Sequence, residues 1–178
     1  MTATLEQAKW KCRTTVRKFD GDVDEYIARY GEEEGLRRFY AEHAPVEEIV
    51  REGNILTQTG IEAIWKLVAG LTATAYSNAN ARLGVGNDST AAQATDTDLL
   101  GSSKAWKAME VGYPVVSALA DKKITFRSIF GSSEGNFAWL EWGVDNGASA
   151  HKLLNRKVEN LGTKSSGSWQ LTIEISLS

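Results

Sequence analysis

Cysteine is almost absent: Cys12 is the single one in 178 residues. That excludes an intrachain disulfide and a multi-cysteine zinc site. Histidine is nearly as scarce. His43 and His151 fall in stretches of different character, so no clustered histidine centre can be built. Long apolar runs are missing too. The longest, over 61–75, contains Glu62 and Lys66 and is too short for a bilayer. The opening MTATLEQAKWKC lacks the apolar stretch of a signal peptide. There is no basic surplus: the net charge of -3 argues against a nucleic-acid binder, which would carry a basic stripe. What remains is six Trp and sixteen Gly against two Pro. That balance suits a packed, turn-rich β structure better than a helical bundle.

Charge divides the chain. Residues 1–52 hold nine Lys/Arg and twelve Asp/Glu, whereas 53–178 hold eleven of each. Five of the six Trp lie in the second part. The expected organisation is therefore a charged arm with helices over 1–51, serving assembly and docking, and a core-forming β-sandwich domain over 52–178. In the arm, Trp10, Cys12, Thr14 and Val16 alternate with Lys11, Arg13, Thr15 and Arg17, the period of an extended strand. Asp22 with Glu25 reads as a helix start, and Gly31 as its stop. A second helix from Glu32 to His43 puts Leu36, Phe39 and Tyr40 on one face and ends before Pro45. Its opening acids Glu32, Glu33 and Glu34 suit the positive end of the helix dipole and read as a solvated face.

In the second part, Thr59-Gly-Ile-Glu62 has the form of a capping box. Ile61, Ile64, Trp65, Val68 and Leu71 follow at helical spacing, which predicts one amphipathic helix, about 60–71, laid over a sheet. Strands are expected at Arg82–Gly86, Lys123–Phe130, Asn136–Val144, Lys152–Leu161 and Trp169–Leu177. In the last, Trp169, Leu171, Ile173, Ile175 and Leu177 alternate with polar residues, giving one buried and one wet face. The gaps are too short for crossover helices, so pairing is antiparallel. The fold class read from the sequence is α+β, mainly β: an antiparallel sandwich covered by one amphipathic helix.

The chemistry-like motifs are thin. Leu83-Gly-Val-Gly-Asn-Asp-Ser-Thr90 has Ser89 where a dinucleotide fingerprint needs its third glycine, and it lacks the Gly-Lys-Ser/Thr of a phosphate loop. It reads as a strand ending in a tight turn. Asp88, Asp96 and Asp98 raise a calcium question, since oxygen ligands suit a hard cation. No Asp-x-Asp-x-Asp-Gly loop with a closing Glu accompanies them, and turn-capping is the expected role. His151 has no Gly-x-Ser-x-Gly partner. Glu134 and Glu141 flank an aromatic strand without a spacing that identifies a glycosidase pair. Lys11 and Arg13 would lower the pKa of Cys12, but alternation instead places it on the apolar face beside Trp10. Trp139 and Trp142 are three apart, so in a regular strand they face opposite ways and Trp142 becomes an interface candidate.

Several ordered blocks carry a resemblance. They are Glu52-Gly-Asn-Ile-Leu-Thr-Gln-Thr-Gly-Ile61, Asn78-Ala-Asn-Ala-Arg-Leu-Gly-Val-Gly-Asn87 and Thr90-Ala-Ala-Gln-Ala-Thr-Asp-Thr-Asp-Leu99. Then come Phe126-Arg-Ser-Ile-Phe-Gly-Ser-Ser-Glu-Gly-Asn-Phe-Ala-Trp139, Glu141-Trp-Gly-Val144, Leu154-Asn-Arg-Lys157 and Leu161-Gly-Thr-Lys164. Over about 52–178 the chain resembles small structural proteins of tailed-bacteriophage virions. The resemblance implies a non-enzymatic virion component made in the host cytoplasm, with no cofactor, no metal, no nucleic-acid partner and no membrane. A capsid decoration (cement) protein is the leading expectation, bound to the major capsid protein and to copies of itself, with a trimer favoured. A tail, neck or baseplate subunit and a receptor- or glycan-binding module are the alternatives. The apolar set of the N-terminal part supplies the expected interface: Trp10, Val16, Phe19, Tyr26, Tyr30, Phe39 and Tyr40, with Trp142 from the second part.

Overall fold

The structure, a computed structural model, describes residues 10–117 and 122–177. Two five-stranded antiparallel sheets face each other. In the first sheet the order is β2 (Glu47–Glu52), β1 (Trp10–Phe19), β10 (Ser168–Leu177), β7 (Lys123–Phe130) and β6 (Val115–Val116). In the second it is β3 (Ile55–Leu56), β9 (Leu153–Val158), β8 (Glu141–Asp145), β4 (Arg82–Gly86) and β5 (Lys104–Ala108). The mainly β sandwich expected from the alternation is the fold found.

The alternation of β10 explains the core. Trp169, Leu171, Ile173 and Ile175 are buried between the sheets, with Phe126 and Phe130 from β7 and Val16 and Cys12 from β1. Leu83, Val85, Trp142, Val144 and Leu154 close the core from the second sheet. Leu177, expected inside, is exposed at the open end of the sandwich, where β10 pairs with Trp10. Trp139 and Trp142 are both buried. The opposite-face expectation fails because β8 begins only at Glu141, so Trp139 sits on an irregular stretch whose neighbour Ala138 bridges to Thr163.

The N-terminal part is no appendage. β1 lies between β2 and β10, and all ten of its residues are in register with β10, from Trp10 opposite Leu177 to Phe19 opposite Ser168. The division at residue 51 is therefore corrected: the first 51 residues supply an interior strand. Two helices follow it, α1 (Val23–Tyr30) and α2 (Glu32–Glu42). Asp22 caps α1 by accepting from the Asp24 amide at 3.1 Å, and Gly31, at φ 80°, separates the two helices. Both pack on the outer face of the first sheet around Phe19, Val23, Leu36, Phe39 and Ile129. They cover one end of that face and leave the rest bare.

The third helix, α3 (Gln58–Val68), is capped by Thr57 rather than Thr59. Its hydroxyl accepts from the Gly60 amide at 3.0 Å and donates to the Leu153 carbonyl. A Cβ at Gly60 would lie 2.6 Å from the Leu154 Cα, so only glycine admits this approach to β9. The glycines of Leu83-Gly-Val-Gly also serve close packing, not a turn. They lie within β4, and a Cβ at Gly86 would meet the Glu141 carboxylate at 2.3 Å.

Candidate functional site

The expected N-terminal interface is largely internal. Val16, Phe19, Phe39 and Trp142 are buried, which removes them as contacts to a partner. The physical reason is that β1 completes the sheet and α1 and α2 consume the apolar side chains around it. Trp142 also joins the sheets, donating from Nε1 to the Thr14 hydroxyl at 2.9 Å. Tyr26 is half-buried and donates to Glu42 at 2.6 Å, and Tyr30 lies under the Arg38 guanidinium. Tyr40 belongs to a polar network: it donates to Glu110 at 2.9 Å and accepts from the Gln170 amide at 2.7 Å. Arg127 donates to the other Glu110 oxygen at 3.0 Å. Burial raises the Glu110 pKa above the ordinary carboxylate value, against the pull of Arg127 and Tyr40.

Asp88, Asp96 and Asp98 are drawn into turn caps and ion pairs. Asp88 accepts from the Thr90 amide, Asp96 from the Gln93 amide and Asp98 from the Leu99 amide. Between the first two sits Arg156, fully buried, which reaches Asp96 at 2.8 Å, Asp88 at 3.4 Å and Glu141 at 2.7 Å. Asp98 pairs instead with Lys104 at 2.8 Å. Among the described residues no group of three His, Cys, Asp or Glu is arranged to hold a metal ion. The cluster is a clasp that fastens the 87–103 segment over β8 and β9. Sequence reasoning missed Arg156, whose neighbours gave no sign that it would be buried. The other two motif acids are engaged as well. Glu141 accepts from the Leu100 and Gly101 amides, and Glu134 pairs with Lys107 at 2.5 Å. Cys12 is buried, and burial pushes its thiol up to about 12, opposite to what its basic neighbours alone would do.

The outward surface lies elsewhere, on α3. Of the apolar stripe expected to face the sheet, Ile64 alone turns inward and the rest is exposed. Trp65 is 64% exposed, Val68 72% and Leu71 61%, with Ile61 and Leu67 also exposed. The helix meets the sheet through Gly60 and Ala63, whose small size lets it lie close, while Ile64 reaches the core. Beside it, between α3 and the ends of β1, β7 and β10, is an apolar cavity of about 300 Å³. Trp10, Leu67, Val68, Ile124 and Ile175 are among its lining residues. The Trp10 indole N–H is buried without a hydrogen-bond partner among the described residues. Val116 and Leu177, both exposed, stand at the same end of the sandwich, since Val116 pairs with Ile124 and Leu177 with Trp10. Of the residues expected at an interface, Trp10 alone lines this region. Comparison with protein-family models, curated proteins and solved structures finds no match to this chain.

Proposed function

We propose that the chain is a non-enzymatic structural subunit of a tailed-phage virion, a decoration protein bound to the outer surface of the major capsid protein shell. The particle class comes from the resemblance of the ordered blocks over about 52–178. The observation that carries a docking role is the exposed apolar surface of α3, with Trp65 and Val68, and Leu71 exposed three residues past the helix end; Val68 also lines the apolar cavity beside Trp10. A contiguous apolar surface rimmed by polar residues marks an interaction site on an otherwise water-facing domain. Aromatic anchors such as Trp65 supply much of the energy of such contacts. Glu62 and Lys66 pair at 2.6 Å beside the stripe and give it a charged rim. Contacts between copies around a local symmetry axis, a trimer by preference, belong to the same reading.

Copy number in purified particles tests it. Quantitative densitometry giving hundreds of copies, with density on the outer shell, fits decoration. Between three and a few dozen copies fits the tail, neck or baseplate alternative. Absence from the particle removes the virion reading altogether.

A further inference from the structure

The exposed face of α3 is nearly symmetric about Trp65. Ile61, Trp65 and Val68 are spaced by four and then three residues, so they form one row along the helix, and all three are exposed. An aliphatic side chain stands about one turn to either side of the indole. Turned end for end, the row reads almost the same. Its two flanks differ in chemistry. Glu62 and Lys66 each follow a member of the row by one residue, which puts both on one flank. Ile64 and Leu67 each precede a member by one residue, on the other flank, where the apolar cavity opens.

Charge narrows the occupant. Glu62 and Lys66 are the only charged residues of α3, so the helix side chains sum to zero, and the two pair at 2.6 Å while staying partly exposed. A strongly charged partner finds no counterpart on this face, whereas the same face of a second copy does. Let two α3 helices meet antiparallel about a two-fold axis at Trp65. Both charged flanks then fall on the same side. Glu62 of one copy lies beside Lys66 of the other, offset by about 3 Å along the helix, and the symmetry repeats the contact. Ile61 meets Val68, the two Trp65 rings meet at the axis, and the two cavity mouths face each other. Parallel pairing would set each charged flank against the other copy's apolar flank. We propose that α3 of the free protein is covered by α3 of a second copy, in an antiparallel two-fold dimer centred on Trp65. The proposal rests on the reading of α3 as the docking surface and names what occupies it before docking. One helix face falls short of the roughly 800 Å² per partner of a stable complex. The dimer is therefore weak and opens where the particle offers a larger surface to the same row.

The test is sedimentation equilibrium of the full chain from about 1 μM to about 1 mM, where a reversible monomer–dimer equilibrium is expected. Trp65→Ser should weaken it at least roughly tenfold. Lys66→Glu and Glu62→Lys should each weaken self-association by placing like charges across the axis. Mixed together, these two variants should associate again, as a heterodimer. A chain that stays monomeric throughout the range overturns the proposal, as does a dimer that Trp65→Ser leaves intact. A mixture of the charge variants that associates no better than either alone overturns it equally. Particle binding separates this result from the shell reading. A Trp65→Ser chain that is monomeric yet binds particles as wild type does supports the dimer and removes α3 from the shell contact.

Discussion

The Arg156 guanidinium lies 2.7 Å from the Glu141 carboxylate, and neither side chain is exposed. Gly86 and Gly101 leave the space for that carboxylate, and the Leu100 and Gly101 amides donate to it. Removing one member strands the other in a dry environment. Arg156→Met should therefore cost about 3–5 kcal/mol in urea denaturation, because the buried Glu141 loses its counter-charge. The 87–103 segment, released from Asp88 and Asp96, should exchange its amides faster in the same variant. A cost under 1 kcal/mol would mean that the clasp contributes little to the fold.

Asp22 gives a pH-dependent prediction. Partial burial pushes its pKa up, but bonds from the Ser132 hydroxyl and from the Asp24 and Ser132 amides outweigh that and hold it below the ordinary 3.8. A carboxylate whose pKa is lower folded than unfolded contributes stability above the unfolded value and loses it as pH falls through the folded one. Asp22→Ala should thus cost about 0.5–2 kcal/mol at neutral pH, the range of a lost N-cap. The gap between wild type and variant should narrow on acidification below 3.8. Thermal melts of both proteins across that range measure it.

Cys12 should be inert. Its thiol is held up to about 12 by burial, so almost no thiolate exists at neutral pH. A thiol reagent such as iodoacetamide should label the native protein far more slowly than the unfolded one, at one equivalent in the latter. Rapid native labelling would place β1 outside the sheet interior.

Trp65 should be separable from folding. Trp65→Ser changes a side chain that is mostly in water, so stability should shift by no more than about 0.5 kcal/mol. Its fluorescence should be quenched by acrylamide in the isolated protein. On purified particles lacking the protein, the variant should bind at least roughly tenfold more weakly, in keeping with loss of an aromatic anchor. Equal binding would remove α3 from the docking surface.

How much of this was legible depended on the range of the interactions. The strand β10, the bounds of β4 and β7, and the Asp22 and Gly31 helix signals are local patterns, and the structure reproduces them. The role of α3 was misread because periodicity shows that a helix has an apolar stripe, not which way it points. Here Gly60 and Ala63 carry the contact, and small residues give no hydrophobic signal. The three acids were legible as turn caps, but Arg156, about sixty residues away, was not. The Gln170 environment was equally hidden, since Tyr40, Glu110 and Arg127 come from three distant segments.

The place of β1 was the largest gap, and it leads to the sharpest expectation. Its alternation was readable from Trp10 to Val16, yet its partner β10 lies at the other end of the chain and nothing local marks the pairing. The dense charge suggested an appendage, but the charged residues Arg13 and Arg17 lie on the outer face while Cys12, Thr14 and Val16 face inward. Deleting residues 1–51 would expose the edges of β10 and the core side chains Leu171 and Ile173, and would leave the buried Trp142 indole without Thr14. It would also remove the helices that cover Ile129. The truncated chain should therefore fail to fold, giving collapsed near-ultraviolet dichroism and no cooperative melt. Thr14→Val isolates one part of this loss: it keeps the shape, orphans the Trp142 N–H and should cost about 1–3 kcal/mol. A truncated protein that melts cooperatively would show that the second sheet and β7–β10 are self-sufficient, and that β1 is added to a finished domain.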